Sequence, residues 1–235
     1  MASDENEIRA ALQHIYESRG WGEQEQEDGG SLSGDGSGIA INRVRAGAIS
    51  MFSQKMGVQR IIDVGCGDCA WQKGFIHKLP STVDYHGLDV APSAIHAAQA
   101  RCSASQRMTI HEPIDASSEG GYDIISALSA QRVTLAIVKE AIQHIPLRNG
   151  LQLLNNLRRA GVRYIAITHH DKALFPDSGN KDIRPGGMYQ NDVLAPPFNL
   201  KDPIADTAKL IRDDDGKRRM GNLLFFDLQA QSLSG

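Results

Sequence analysis

The sequence predicts an α/β fold, an open and mostly parallel sheet with helices on its faces. Three observations lead there. From residue 60 onward, short apolar runs alternate with helical segments, the pattern of strands joined by crossover helices. The first run ends in a glycine turn, Asp63-Val64-Gly65-Cys66-Gly67. The second ends in an acid, Asp89, at the edge where an open sheet presents its ligand crevice.

Residues 5–19 read as a helix because Ile8, Ala11, Leu12 and Ile15 recur at amphipathic spacing. Residues 20–38 (GWGEQEQEDGGSLSGDGSG) have the polar, glycine-rich composition of a flexible linker. A second helix covers 39–56, with Val44, Ala48, Ile49 and Phe52 on one side. Strand one is 60–64 (RIIDV), followed by the glycine turn and a helix through Leu79. Strand two is 85–88 (YHGL), and Pro92 then opens a helix to about Arg101, proline being favoured in a first turn. Strand three is 107–111. Two segments compete for strand four, 122–128 (YDIISAL) and 133–138 (VTLAIV). A helix over 151–159 leads to strand five, 163–169 (RYIAITH). Residues 171–203 form a long connection rich in Pro, Gly and Asn, and 209–213 and 223–228 supply two further strands, seven in all.

The 235 residues suffice for one well-buried domain. With 25 Lys and Arg against 28 Asp and Glu, the net charge of -3 argues against a broad phosphate-tracking surface and so against nucleic acid. Lys217-Arg218-Arg219 is the one local hint of a basic groove. No apolar run is long enough to span a bilayer, and the acidic N-terminus lacks the basic and apolar regions of a secretory signal, so a cytoplasmic location is expected. Cys66, Cys69 and Cys102 are odd in number, which fits free thiols in a reducing compartment. Cys66 and Cys69 form a C-x-x-C that would suit redox chemistry or half a zinc site. Nothing completes the set, so they read as loop thiols and no metal is expected.

Gly65 and Gly67 allow a sharp turn and close approach of a ligand to backbone N–H groups. Asp89 ends the next strand, where a carboxylate can take both hydroxyls of a ribose. A nicotinamide dinucleotide would occupy similar ground, but its folds place an apolar residue where Asp63 stands and add a third glycine that is missing here. Its diphosphate would also meet the carboxylates of Asp63 and Asp68. S-adenosylmethionine carries an ammonium and a sulfonium and no phosphate. The stretch resembles the D-x-G-C-G motif of class I S-adenosylmethionine-dependent methyltransferases, which implies a Rossmann-like, seven-stranded, mostly parallel sheet flanked by helices.

By that resemblance Asp63, Gly65, Cys66, Gly67 and Asp68 surround the methionine moiety, and Asp89 with Val90 the ribose. Asp115 either lies near the adenine amino group or serves as a turn or helix-capping residue. Further segments resemble a narrower group associated with glycan O-methylation: Trp21-Gly22 with Ser33-Gly34-Asp35-Gly36-Ser37, the turn ending in Trp71, Lys139-Glu140-Ala141-Ile142-Gln143-His144-Ile145, Ile167-Thr168-His169, then Asn180, Asp182, Ile183 and Pro196-Pro197-Phe198-Asn199-Leu200. This likeness favours 133–138 as strand four. It also makes 33–37 a lid over the cofactor rather than a linker, with Ser37 and Lys139 among the cofactor contacts. It divides the chain into an N-terminal helix and lid, 1–38, and a methyltransferase domain, 39–235. Cys69 and Ala70 stand where the group has glycine and asparagine, and an apparent insertion separates Asp115 from Val133.

Methyl transfer to a hydroxyl calls for in-line positioning and a base. Glu140 and His144, spaced i, i+4 just beyond strand four, fall on one face if the segment is helical. His144 is then the expected base and Glu140 its orienting partner. His169 and Asp182 come next, whereas His170, Asp171 and Lys172 read as solvated loop residues. Residues 180–200 should build the acceptor side, with Asn180, Asp182, Arg184, Asn191 and Tyr189 as partners for a sugar. The leading function is O-methylation of a sugar or other small hydroxylated acceptor. An RNA or protein methyltransferase and a non-catalytic S-adenosylmethionine-binding module are the alternatives.

Overall fold

The computed structural model describes residues 2–21, 31–34, 39–207 and 221–233. Its sheet has seven strands: β1 (Arg60–Val64), β2 (Asp84–Leu88), β3 (Met108–Ile110), β4 (Thr134–Val138), β5 (Tyr164–His169), β6 (Ala205–Asp206) and β7 (Asn222–Asp227). The spatial order is β3-β2-β1-β4-β5-β7-β6. Neighbours among β1 to β5 pair in parallel, and β7 runs antiparallel to both β5 and β6. The chain winds outward from β1 to β3, then crosses back to β4 beside β1. That reversal opens a crevice at the carboxyl ends of β1 and β4.

Each central strand is buried on both faces, so adjacent residues serve different cores. Ile61, Leu135, Ala166 and Phe225 join one layer with Ile49 and Phe52 of α2 (Ile39–Lys55) and Ile95 of α4 (Pro92–Cys102). Ile62, Ala136, Ile165 and Leu224 join the other, with Ile125 of α5 (Glu119–Ser129) and Leu154 and Leu157 of α6 (Leu147–Arg159). The short α3 (Gln72–Phe75) follows the glycine turn. The N-terminal helix α1 (Ala2–Glu17) lies against α4 and supplies its cap: Gln13 Oε1 accepts the N–H of Ser93 at 3.0 Å.

The expected strands at 60–64, 85–88, 133–138, 163–169 and 223–228 are present to within a residue or so at their ends, and the one at 107–111 is shortened to three residues. The competing segment 122–128 is helical. Ser118 caps it by accepting the N–H of Gly121 at 3.1 Å, and the apparent insertion is the crossover helix α5 between β3 and β4. Helix α6 begins at Leu147, a turn earlier than expected. The edge strands are β3 and β6, and the expected strand at 209–213 lies outside the described residues, as does Lys217-Arg218-Arg219. All three thiols are buried rather than in an open loop. No described helix is long and apolar enough to cross a membrane.

One buried cation ties α2 to the sheet. Arg45 is 0% exposed, and its guanidinium donates to the carbonyl of Gly221 at 2.5 Å, just before β7, and to Glu140 at 3.3 Å, just after β4. Removing one partner of such a pair leaves a desolvated charge, so Arg45→Leu should destabilise the fold by about 3 kcal/mol. Urea unfolding measures it. A loss below about 1 kcal/mol would show that Glu140 rehydrates at little cost.

Candidate active site

The glycine turn is held onto β2 by hydrogen bonds. The N–H groups of Gly65 and Cys66 both donate to the carbonyl of Leu88, at 2.8 and 3.1 Å. Gly67 N–H donates to Asp89 Oδ2 at 2.9 Å, and Ala91 N–H to Asp89 Oδ1 at 3.0 Å. Gly65 and Gly67 have φ of +75° and +60°, and a Cβ on Gly65 would lie 2.7 Å from that of Ala141. Cys69 also has positive φ, +56°, a backbone conformation that glycine adopts without strain. Below the turn, Asp63 Oδ2 accepts from Tyr85 Oη at 2.7 Å and Gln72 Nε2 at 3.0 Å. Burial raises the carboxyls of both Asp63 and Asp89. Gln72, Tyr85 and Lys139 oppose the rise at Asp63, and the N–H groups of Ala91, Gly67 and Val90 oppose it at Asp89.

Above this turn lies a cavity of about 680 Å³. Asp63, Gly65, Cys66, Gly67, Asp89, Val90, Asp115 and Lys139 line it, as do Glu140 and His144. Asp115 serves as a turn residue, its Oδ1 accepting from Ser117 N and Oγ at 2.8 and 2.7 Å, and it also lines the cavity. Lys139 is buried with its ammonium 5.6 Å over the Trp71 ring. Burial and then Arg45 push it down to about 8, against the pull of Glu140 and Asp63.

Asp68 departs from expectation. It does not line the cavity. Its buried carboxylate turns outward and accepts from Ser31 Oγ (3.1 Å), Leu32 N (3.0 Å), Ser33 Oγ (3.1 Å) and Arg101 Nη2 (3.2 Å). A segment more than thirty residues upstream is thereby laid across the turn, where Ser33 Oγ stands so near Gly67 that a Cβ there would collide with it. Ser33 and Gly34 line the cavity with Ile8, Leu12 and Tyr16 of α1. Ser37 lies outside the described residues.

The opposite wall corrects the helical reading of 140–144. Glu140 has φ +51°, and only a short 3₁₀ turn, Ile142–His144, follows, so Glu140 and His144 do not share a helix face. Glu140 accepts from Arg45 and from Gln143 Nε2. Burial alone would raise its carboxyl, but Arg45, Lys139 and His170 outweigh burial and lower it. His144 Nδ1 lies 3.0 Å from the carbonyl oxygen of Gly187. A carbonyl can only accept, so Nδ1 carries the proton and Nε2 keeps a lone pair. Burial lowers the imidazole below its ordinary value, only partly offset by Gly187 and Glu140.

Two expected catalytic residues lie elsewhere. Asp182 is exposed and accepts the N–H of Leu147 at 3.0 Å, capping α6. His169 ends β5 with Nδ1 3.6 Å from Asp192, outside the cavity. Its neighbour His170 is no solvated loop residue: it is 4% exposed and lines the cavity. The residues expected to meet an acceptor mostly brace the loop instead. Asn180 Nδ2 donates to the carbonyls of Asp192 and Pro196, both at 2.7 Å, Tyr189 Oη to that of Ile142 at 3.2 Å, and Asn191 Nδ2 to that of Thr168 at 2.6 Å. Arg184 is exposed. Phe175, Met188 and Gln190 face the cavity in their place.

No family model and no curated protein matches the sequence. Solved structures do. The methyltransferase domain of bacterial CtHen1-C is 17% identical with a TM-score of 0.56, over 81% of this chain and 100% of that one. Magnesium protoporphyrin IX methyltransferase (ChlM) from Synechocystis PCC 6803 with bound SAM is 10% identical with a TM-score of 0.55, over 94% and 95%. The N-methyltransferase NodS from Bradyrhizobium japonicum WM9 is 15% identical with a TM-score of 0.52, over 80% and 96%. The chain therefore has the Rossmann-like fold of class I methyltransferases.

Asp68→Ala should release the segment 31–33. Losing charge-assisted hydrogen bonds should speed amide exchange at Leu32 by about tenfold or more. Unchanged exchange at Leu32 would show that other contacts hold the segment.

Proposed function

We propose that the chain is an S-adenosylmethionine-dependent methyltransferase of a small hydroxylated acceptor, with a sugar as the favoured class. The observation that carries this reading is a neutral imidazole of defined tautomer, His144, in one cavity with the glycine turn and Asp89. The wall fits this cofactor better than a dinucleotide. Asp63, Asp89, Asp115 and Glu140 oppose Lys139, a balance that suits an ammonium and a sulfonium and repels a diphosphate. The same walls hold the buried amide oxygens of Gln72 and Gln143, which have no donor among the described residues and favour a donor-rich ligand.

Bound S-adenosylmethionine supplies a methyl group on an already activated carbon. Gly65 and Gly67 would admit its methionine end, and Asp89 would take the ribose hydroxyls with the lone pairs that Gly67 and Ala91 leave. Asp115 with Ser117 stands on the adenine side in this reading, and Lys139 limits the negative charge of the wall. His144 Nε2 accepts the acceptor's hydroxyl proton. Trp21 fixes the far side of that ring, at 5.1 Å between centroids. Gln190, Phe175 and Met188 supply the mixed polar and apolar surface that a pyranose presents. His170 is the second candidate base. Asn191 Nδ2 already donates to Thr168, so its Oδ1 accepts from His170 Nδ1 at 3.0 Å and orients that ring.

S-adenosylhomocysteine should bind in calorimetry and NAD should not. Asp89→Ala should cost roughly 1–3 kcal/mol of that affinity, the scale of unmatched buried polar groups. NAD binding without S-adenosylhomocysteine binding would overturn the proposal.

In an acceptor screen with labelled cofactor, sugars should outperform RNA and peptides. His144→Ala should lower kcat about a hundredfold with cofactor affinity nearly unchanged. Because burial lowers the His144 pKa, kcat should be flat at neutral pH and fall only below the ordinary imidazole range, where the base becomes protonated. Normal turnover in His144→Ala would pass the base role to His170.

A further inference from the structure

We propose that a second cavity, on the outer side of Trp71, binds a small molecule carrying two or more phosphate groups. This cavity is about 510 Å³ and lies among α2, α3 and the end of α4. Its charged lining is of one sign: Arg43, Lys73, Lys78 and Arg101, with His77 between the lysines in sequence, and no carboxylate. The whole chain carries net charge -3, so the cluster is a local arrangement and not a reflection of a basic protein.

Among the described residues, no acidic side chain forms an ion pair with Arg43, Lys73 or Lys78. Arg101 points one nitrogen at Asp68, at 3.2 Å, and so links this cavity to the anchor of the segment 31–33. Like charges gathered around a concavity raise its positive potential and favour a multivalent counter-ion. Even without Arg101, whose charge is shared with Asp68, the three cations Arg43, Lys73 and Lys78 exceed what one phosphate neutralises, since a phosphate monoester brings a charge of about -1.5 to -2. A diphosphate or triphosphate matches the cluster better. A concavity of about 510 Å³ has the size of a small-molecule site, whereas a nucleic-acid backbone is bound along an extended basic track.

The test is calorimetric titration of the full chain with tripolyphosphate and, in a separate arm, with ATP. Both should bind with submillimolar affinity that weakens as salt is raised, as screened charge contacts do. Tighter binding of ATP would identify a nucleotide as the source of the phosphates, and equal affinities a phosphate chain alone. The double variant Lys73→Gln, Lys78→Gln should weaken either ligand by about tenfold, the scale for losing two partly exposed charge contacts. Its far-ultraviolet circular dichroism and melting temperature should match wild type, and Lys172→Gln should bind normally. No heat at millimolar tripolyphosphate would overturn the proposal, as would unchanged affinity in a folded double variant. Preference for a single-stranded oligonucleotide over tripolyphosphate would also overturn it, in favour of a nucleic-acid surface.

Discussion

The glycine turn after β1 is laid against the end of β2 by donors from Gly65, Cys66 and Gly67 to Leu88 and Asp89, and most of the site follows from that contact. It requires positive φ at Gly65 and Gly67, and it brings the Asp89 carboxylate beside the turn instead of toward solvent. Once the turn is fixed, Gln72 at the start of α3 reaches back to both Asp63 and the Cys66 carbonyl. The sheet reversal between β1 and β4 then decides what faces the turn, namely Lys139, Glu140 and Ala141. The tight approach of Ala141 to Gly65 measures how closely the two strand ends meet.

That closeness creates an electrostatic problem and the structure solves it locally. Asp63, Lys139, Glu140 and Arg45 are taken out of water in alternating sign, and the shifts of Lys139 and Glu140 each trace to the others as well as to burial. Arg45 comes from α2, on the far side of the sheet edge, so this helix takes part in the charge balance of the cavity wall. A buried ion cluster of this kind contributes little net stability when intact, but it is costly to break. Its effect is to hold the wall acidic, while burial lowers the imidazole of His144 against the opposing pull of Glu140.

The fold was legible because its signals are local: apolar runs, a glycine turn, Pro92 in a first turn and acids at strand ends. The segment 122–128 stood as a rival to 133–138 because Tyr122, Ile124, Ile125 and Leu128 suit either period, and the deciding cap at Ser118 lies outside the run. The glycine-turn wall of the cavity was readable for the same reason, with Asp63, Gly65, Gly67 and Asp89 each tied to a turn or strand end. Residues past strand five were not. Whether Asp182 meets a ligand or caps α6 depends on how a long loop folds back, as does the exchange of roles between His169 and His170. Glu140 was misjudged since a left-handed backbone at a glutamate has no compositional signature. Asp68 was assigned from its neighbours in the chain, whereas its partners are Ser31, Leu32 and Ser33.

The placement of that N-terminal segment changes how the cavity should work. Ile8, Leu12 and Tyr16 give α1 an apolar edge on the cavity, and Ser33 and Gly34 lie over the glycine turn. In the proposed reading a cover of this kind would exclude water from the reacting atoms and strengthen every charge interaction inside. Ordering a glycine- and serine-rich segment is entropically unfavourable, and were it ordered only on ligand binding, that loss would come out of the affinity. The bonds converging on Asp68 hold Ser31 to Ser33 through the protein's own contacts. In the proposed reading Asp68 would thus add to ligand affinity through preorganisation, although its own carboxylate does not line the cavity.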